Sequence, residues 1–133
     1  MPSRKINDLH PQLQPLCREF LQRAEAAGVD VLITCTYRSN EEQEALYSQG
    51  RTKPGNIVTR ARAGQSAHNF KIGPAPAAKA FDVVPLDEFG HCIWDASHPD
   101  WQTLGRIGTE IGLNWYGAPG SKFREYPHFQ LKE

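Results

Sequence analysis

The chain has 133 residues, a hydrophobic fraction of 39%, and 15 Lys+Arg against 15 Asp+Glu, so its formal charge is zero. That length suits one domain able to bury a core without disulfide staples, and the balanced charge gives no bulk attraction to nucleic acid or to an anionic membrane. No apolar run reaches the length of a membrane span, the N-terminus MPSRKINDLHPQLQPL lacks the apolar stretch of a secretory signal, and Cys17, Cys35 and Cys92 form no CxxC pair, which argues against a disulfide framework or a thiolate zinc knuckle.

Residues 11–27 are expected to form a helix, because Leu13, Leu16, Cys17, Phe20, Leu21 and Ala24 recur at steps of three and four. Gly28 sits where a left-handed cap would end it. Val29, Val31, Ile33, Cys35 and Tyr37 then alternate with Asp30, Leu32, Thr34 and Thr36, a strand pattern. By this alternation Cys35, like Cys17, reads as a small core hydrophobe. Ser39 and Glu42 match a capping box. The short helix they open should bury Ala45 and Leu46 and stop at Gly50.

Residues 51–65 show no period and are expected to form a long loop, which in a compact domain usually carries function. Phe81, Val83 and Val84 mark a second strand, Glu88 to His91 a turn, and Cys92, Ile93 and Trp94 a short return strand. Pro99 suits the first turn of another helix whose apolar stripe is Leu104, Ile107, Gly108 and Ile111, with Gly112 as its stop. Phe129 to Leu131 read as a last strand. Trp94, Trp101 and Trp115 are expected in the core. The order helix, strand, helix, hairpin, helix, strand predicts a single α+β domain over 1–133, an antiparallel sheet with helices packed around it.

Five histidines are present, and context selects among them. His68 follows Ser66 at the end of the long loop. Asp82 lies inside the apolar run Ala80–Val84, where a carboxylate is costly unless it is paired or bound to a metal. His128 precedes the last strand. Two histidines and a carboxylate make a sensible zinc set with a fourth position open. Glu125, three residues before His128, can serve as the proton acceptor and donor of a hydrolytic site. Spacing alone does not separate this reading from surface histidines beside a solvated glutamate. His91 with Cys92 is a rival ligand pair, but it follows a turn and has no partner at a familiar spacing.

Taken together, Ser66-x-His68, Ala80-x-Asp82 and Glu125-x-x-His128 resemble the pattern S-x-H-x-x-G-x-A-x-D, then an acidic residue three positions before a histidine. That is the pattern of zinc peptidases acting on peptidoglycan peptides. The group includes D-Ala-D-Ala carboxypeptidases and dipeptidases of the VanY-like type and phage endolysins that are L-alanyl-D-glutamate peptidases. Thr36-Tyr37-Arg38-Ser39 with Gln43 and Leu46-Tyr47, and the ending Pro127-His128-Phe129-Gln130, look like further family stretches. Two departures stand out. Asp82 follows His68 by fourteen positions where the family has seven, with Lys71 in place of a glycine. Glu125 stands where the endolysin branch usually has Asp.

The resemblance implies a hedgehog/D-Ala-D-Ala peptidase-like fold and a zinc ion held by His68, Asp82 and His128. It implies Glu125 as general base and acid, and Arg38 stabilising the carbonyl oxygen in the transition state. A surface Arg38 paired with Glu41 or Glu42 is the alternative. Ser66 would orient substrate or simply form a turn, and Gln43 would be structural. The implied activity is that of an endolysin-type L-alanyl-D-glutamate endopeptidase cleaving the peptidoglycan stem peptide, with D-Ala-D-Ala carboxypeptidase or dipeptidase as the rival. A third reading is a non-catalytic zinc- or peptidoglycan-binding module, and Glu125 argues against it. No nucleic acid or membrane insertion is expected. The expected state is a monomer, made in the cytoplasm and reaching the cell wall on release during phage lysis.

Overall fold

In a computed structural model, residues 1–121 and 124–132 are described. Helix α1 spans Gln14–Ala26, starting three residues later than the expected 11–27, with a proline in its first turn. Strand β1 spans Asp30–Cys35. Helix α2, Asn40–Ser48, opens with the expected capping box: Ser39 accepts from the Glu42 amide, and the Glu42 carboxylate accepts from the Ser39 amide. The residue it buries is Gln43, while Ala45 is exposed and Leu46 half-buried. The apolar pair was too short to set the buried face, which the polar contacts of Gln43 set instead.

Residues 51–65 contain turns and no regular element. The segment between His68 and Asp82 forms a small hairpin, β2 (Lys71–Ile72) and β3 (Ala75–Pro76). Strand β4 follows at Ala80–Leu86, helix α3 at Pro99–Glu110, β5 at Leu113–Trp115 and β6 at His128–Leu131. The main sheet has the order β1-β4-β6-β5. All of its neighbours are antiparallel. The fold is thus a small antiparallel sheet with three helices. The expected return strand at Cys92 is reduced to an isolated bridge between Leu86 and Cys92. Trp94 is 61% exposed, so its place in the core is corrected, whereas Trp101 and Trp115 are buried.

The two faces of the sheet differ. Phe81 pairs with Phe129 and Phe129 with Trp115 across three strands. These rings pack under α1 and α3, where Phe20 lies 5.4 Å from Phe81 and 4.8 Å from Phe129 between ring centres. Helix α3 comes close because Gly105 and Gly108 carry no side chain: a Cβ there would meet the Trp115 ring at 2.3 Å and the Phe129 ring at 2.5 Å.

The opposite face takes Cys35, Asp82 and His128, which stand in register across β1, β4 and β6. An irregularity between Ile33 and Cys35 brings this about. Ile33 pairs with Val83, yet Cys35, two residues on, pairs with Asp82 rather than Phe81. A bulge re-aims the strand, so Cys35 leaves the apolar alternation and faces the polar side.

Candidate active site and metal centre

His68 lies on a single turn of tight helix, Ala67–Asn69, capped by Ser66, whose hydroxyl accepts from the His68 amide. The turn is locked to β1's end: the Arg38 amide donates to the His68 carbonyl at 3.0 Å, and the Asn69 side chain donates to the Arg38 carbonyl at 2.8 Å. His128 starts β6. Before it, the Glu125 amide donates to the Tyr116 carbonyl, and the Trp115 indole donates to the Tyr126 carbonyl at 2.8 Å. These bonds hold the Glu125–Pro127 segment against the end of β5.

Three side chains converge on one oxygen. His68 Nε2 and His128 Nδ1 each lie 3.2 Å from Asp82 Oδ1. The other ring nitrogens have oxygen partners: His68 Nδ1 is 2.8 Å from the Thr36 carbonyl, and His128 Nε2 is 2.8 Å from Gln130 Oε1. A nitrogen facing a carbonyl must carry the proton. In the neutral rings, the lone pairs of His68 Nε2 and His128 Nδ1 therefore both face the Asp82 carboxylate. Such an arrangement calls for a cation between them.

A proton on His68 can meet that demand. Burial alone would lower the His68 pKa, but the adjacent Asp82 carboxylate outweighs it and raises the pKa to about 10. The same pairing holds the Asp82 carboxyl below its ordinary range against the effect of burial. Zinc fits the donor set as well. Two ligands at about 2.0–2.1 Å from a tetrahedral zinc are about 3.3 Å apart, close to both 3.2 Å separations. Ring nitrogens fixed by a carbonyl or an amide oxygen are also the usual support of zinc-ligating histidines.

Cys35, His68 and Asp82 also form a cluster whose ligating atoms lie within 4.8 Å of one another. Cys35 Sγ, however, sits 3.6 Å from His68 Nδ1, the nitrogen held by Thr36. The nitrogens of His68 and His128 that face Asp82 are the ones not held by Thr36 or Gln130. His91 and Cys92 are exposed; His91 Nδ1 lies 3.7 Å from Asp87 in its own turn, away from this cluster.

Glu125 Oε2 is 3.7 Å from His128 Nδ1. Burial raises its pKa, opposed by the nearby His128. Arg38 is mostly buried and has no pair with Glu41 or Glu42. Its Nη1 donates to Gln43 Oε1 at 3.0 Å, and its Nη2 lies 3.8 Å from Asp82 Oδ2 and 3.6 Å from Cys35 Sγ. Gln43 in turn donates to the Ala61 carbonyl at 2.7 Å, which ties the long loop to the site. His68, Asp82, His128, Glu125 and Arg38 line one cavity of about 1180 Å³, with Ser66, Tyr116 and Gln130.

Sequence reasoning does not single out Cys35 or Tyr116 and names Gln130 only within the Pro127–Gln130 stretch, while Gln43, expected to be structural, connects Arg38 to the long loop. The Tyr116 ring centre is 4.4 Å from that of His128. Gln130 had a signal, since it lies two residues beyond His128 on the same strand face. Tyr116 and Cys35 had none, because a β-strand end and a bulge bring them in.

Residues 6–83 match the family described as VanY, D-alanyl-D-alanine carboxypeptidase. The chain is 36% identical over 132 residues to the peptidoglycan L-alanyl-D-glutamate endopeptidase CwlK of Bacillus subtilis (strain 168), covering 94% of this chain and 74% of that protein. Its fold is similar to that of the L-Ala D-Glu endopeptidase ChiX of Serratia marcescens, with a TM-score of 0.61 at 19% identity, over 99% of this chain and 89% of that one. It is also similar to a D,D-pentapeptidase VanY solved with Zn(II), with a TM-score of 0.64 at 16% identity, over 92% of this chain and 72% of that one. The chain belongs to the VanY family of D-alanyl-D-alanine carboxypeptidases and related peptidoglycan peptidases.

Proposed function

We propose that the protein is a zinc-dependent peptidoglycan hydrolase that cleaves the L-alanyl-D-glutamate bond of the stem peptide. The observation that carries this reading is the convergence of His68 Nε2 and His128 Nδ1 on Asp82 Oδ1, with Glu125 beside them. The 36% identity to CwlK supports the choice of bond.

Zinc held by His68, Asp82 and His128 would supply Lewis acidity and lower the pKa of water in the site. Glu125 accepts a proton from the attacking water and delivers it to the leaving amine. Burial raises its pKa, which makes it a stronger acceptor than an exposed carboxylate. Arg38, fixed by Gln43, donates to the carbonyl oxygen as charge develops there, a task its planar fork suits. Ser66 accepts from the His68 amide and keeps its hydroxyl proton to donate to substrate. Tyr116, Gln130 and the walls of the cavity hold the peptide. The protein acts as a monomer on the cell wall, reached by release from the cytoplasm during phage lysis. No helix among the described residues is long and apolar enough to cross a membrane.

The test is release of new amino termini from purified peptidoglycan. Glu125→Gln should keep zinc and the fold and lose about a hundred- to ten-thousandfold in rate. Arg38→Lys should lose about a hundredfold in turnover. Wild-type rates in either variant would remove that residue from its role.

A further inference from the structure

The two histidines of the site are held by different kinds of partner. His128 Nε2 meets a side chain, that of Gln130, whereas His68 Nδ1 meets a backbone carbonyl, that of Thr36. The direction of a carbonyl is set by its planar peptide unit, which turns only through the dihedrals on either side. Both neighbouring peptide units are pinned here. In the unit before, the Thr36 amide donates to the Ser3 carbonyl at 2.7 Å. In the unit after, the Tyr37 carbonyl accepts from the Ser3 amide at 2.8 Å, and the Arg38 amide donates to the His68 carbonyl at 3.0 Å. Thr36 itself is fully buried, and its hydroxyl donates to the Lys5 carbonyl at 2.8 Å.

The segment that supplies these partners is itself fixed. The Ser3 hydroxyl donates to the Asp8 carboxylate at 2.6 Å and accepts from the Lys5 amide at 3.1 Å. Further along, the Ala78 amide donates to the Asp8 carbonyl at 3.0 Å, and the His10 amide donates to the Ala78 carbonyl at 2.8 Å. The next residue, Lys79, donates its amide to the Ala67 carbonyl at 2.9 Å, on the turn that carries His68. Residues 3–10 thus reach that turn from two sides, through Thr36 and through Ala78. The apolar core takes Ile6 and Leu9 from this segment, and neither Ser3 nor Lys5. Ser3 and Lys5 also precede residue 6, where the family match begins.

We propose that Ser3 and Lys5 brace the metal centre, with Thr36 as the positioning residue through which they act. Together they aim the carbonyl that holds His68 Nδ1 and so keep Nε2 turned toward Asp82. The inference rests on the assignment of His68 as a zinc ligand made above. A ligand aimed in advance loses less freedom on binding, and partners that orient ligating histidines contribute to metal affinity. The brace should therefore be read in zinc affinity, not only in stability.

The experiment measures zinc dissociation constants on the purified full chain by competition with a chromophoric chelator. Thr36→Val keeps the shape and removes the hydroxyl bond to Lys5. It should weaken zinc binding about tenfold, the low end for a group that supports a metal ligand. Thr36→Ser restores the hydroxyl and should bind zinc as wild type does. Removal of residues 1–5 leaves Ile6 and Leu9 in the core and should weaken zinc binding by about tenfold or more. That variant gives the answer if Thr36→Val fails to fold. Phe20→Ala, which weakens the fold from the apolar face, should leave zinc affinity unchanged. Wild-type affinity in folded Thr36→Val or in the truncated chain, or an equal loss in Phe20→Ala, would overturn the proposal. Zinc bound as tightly by His68→Ala as by wild type would instead strike the ligand assignment, and the brace with it.

Discussion

The two faces of the central sheet are held by different forces, and they respond differently to sequence. One face stacks Phe81, Phe129 and Trp115 beneath α1 and α3, with Phe20 wedged between rings. Its cohesion is non-directional burial, which depends on volume and fit. The other face sets Cys35, Asp82 and His128 in register and adds His68, Arg38 and Glu125 from turns. Its cohesion is directional, since it rests on hydrogen bonds and ion pairs between named atoms. Stability should therefore reside mainly on the first face and chemistry on the second.

Substitutions can break that division if it is wrong. The largest effect is expected from His68→Ala or His128→Ala. Each should remove most of the zinc after dialysis and abolish cleavage, while the far-ultraviolet circular dichroism spectrum stays that of the wild type. Zinc retained in full would unseat that ligand. Next comes Phe20→Ala on the apolar face, which should cost about 3–5 kcal/mol in urea unfolding. Under native conditions it should leave zinc content and the KM for stem peptide unchanged.

Gln43→Met sharpens the boundary, because Gln43 is fully buried yet serves the polar face. Losing its bond to Arg38 should lower kcat about tenfold with little change in KM, and an unpaired Ala61 carbonyl should cost about 1–3 kcal/mol of stability. Equal changes in kcat and KM would make Gln43 a purely structural residue. The smallest effect should come from Ser39→Ala. It removes one half of the α2 capping box and should cost about 1 kcal/mol with no change in rate.

Much of the apolar face was legible in the sequence. Phe20, Cys17 and Ala24 repeat with the helical period, and Leu104, Ile107 and Gly108 do the same on α3, because a stripe facing a core must recur with the helix turn. The capping box at Ser39 was legible for a local reason, since both of its partners lie within one turn. The polar face was legible in composition, through Asp82 in an apolar strand, but not in geometry. Cys35 was read as core because alternation carries no sign of a bulge. Trp94 was read as core because an aromatic residue next to a turn gives no hint that its strand fails to form. The hairpin at 71–76 and β5 were missed because strands of two or three residues are too short to show a period.

The central proposal is that this polar face, where His68, Asp82 and His128 would hold one zinc ion, cleaves the bond between alanine and glutamate. The most direct measurement combines metal analysis of the purified protein with mass spectrometry of a defined muropeptide after digestion, with and without chelator. The account predicts about one zinc per chain and a new amino terminus on glutamate that chelator suppresses. Release of terminal D-alanine alone, or no cleavage with zinc fully bound, would contradict it.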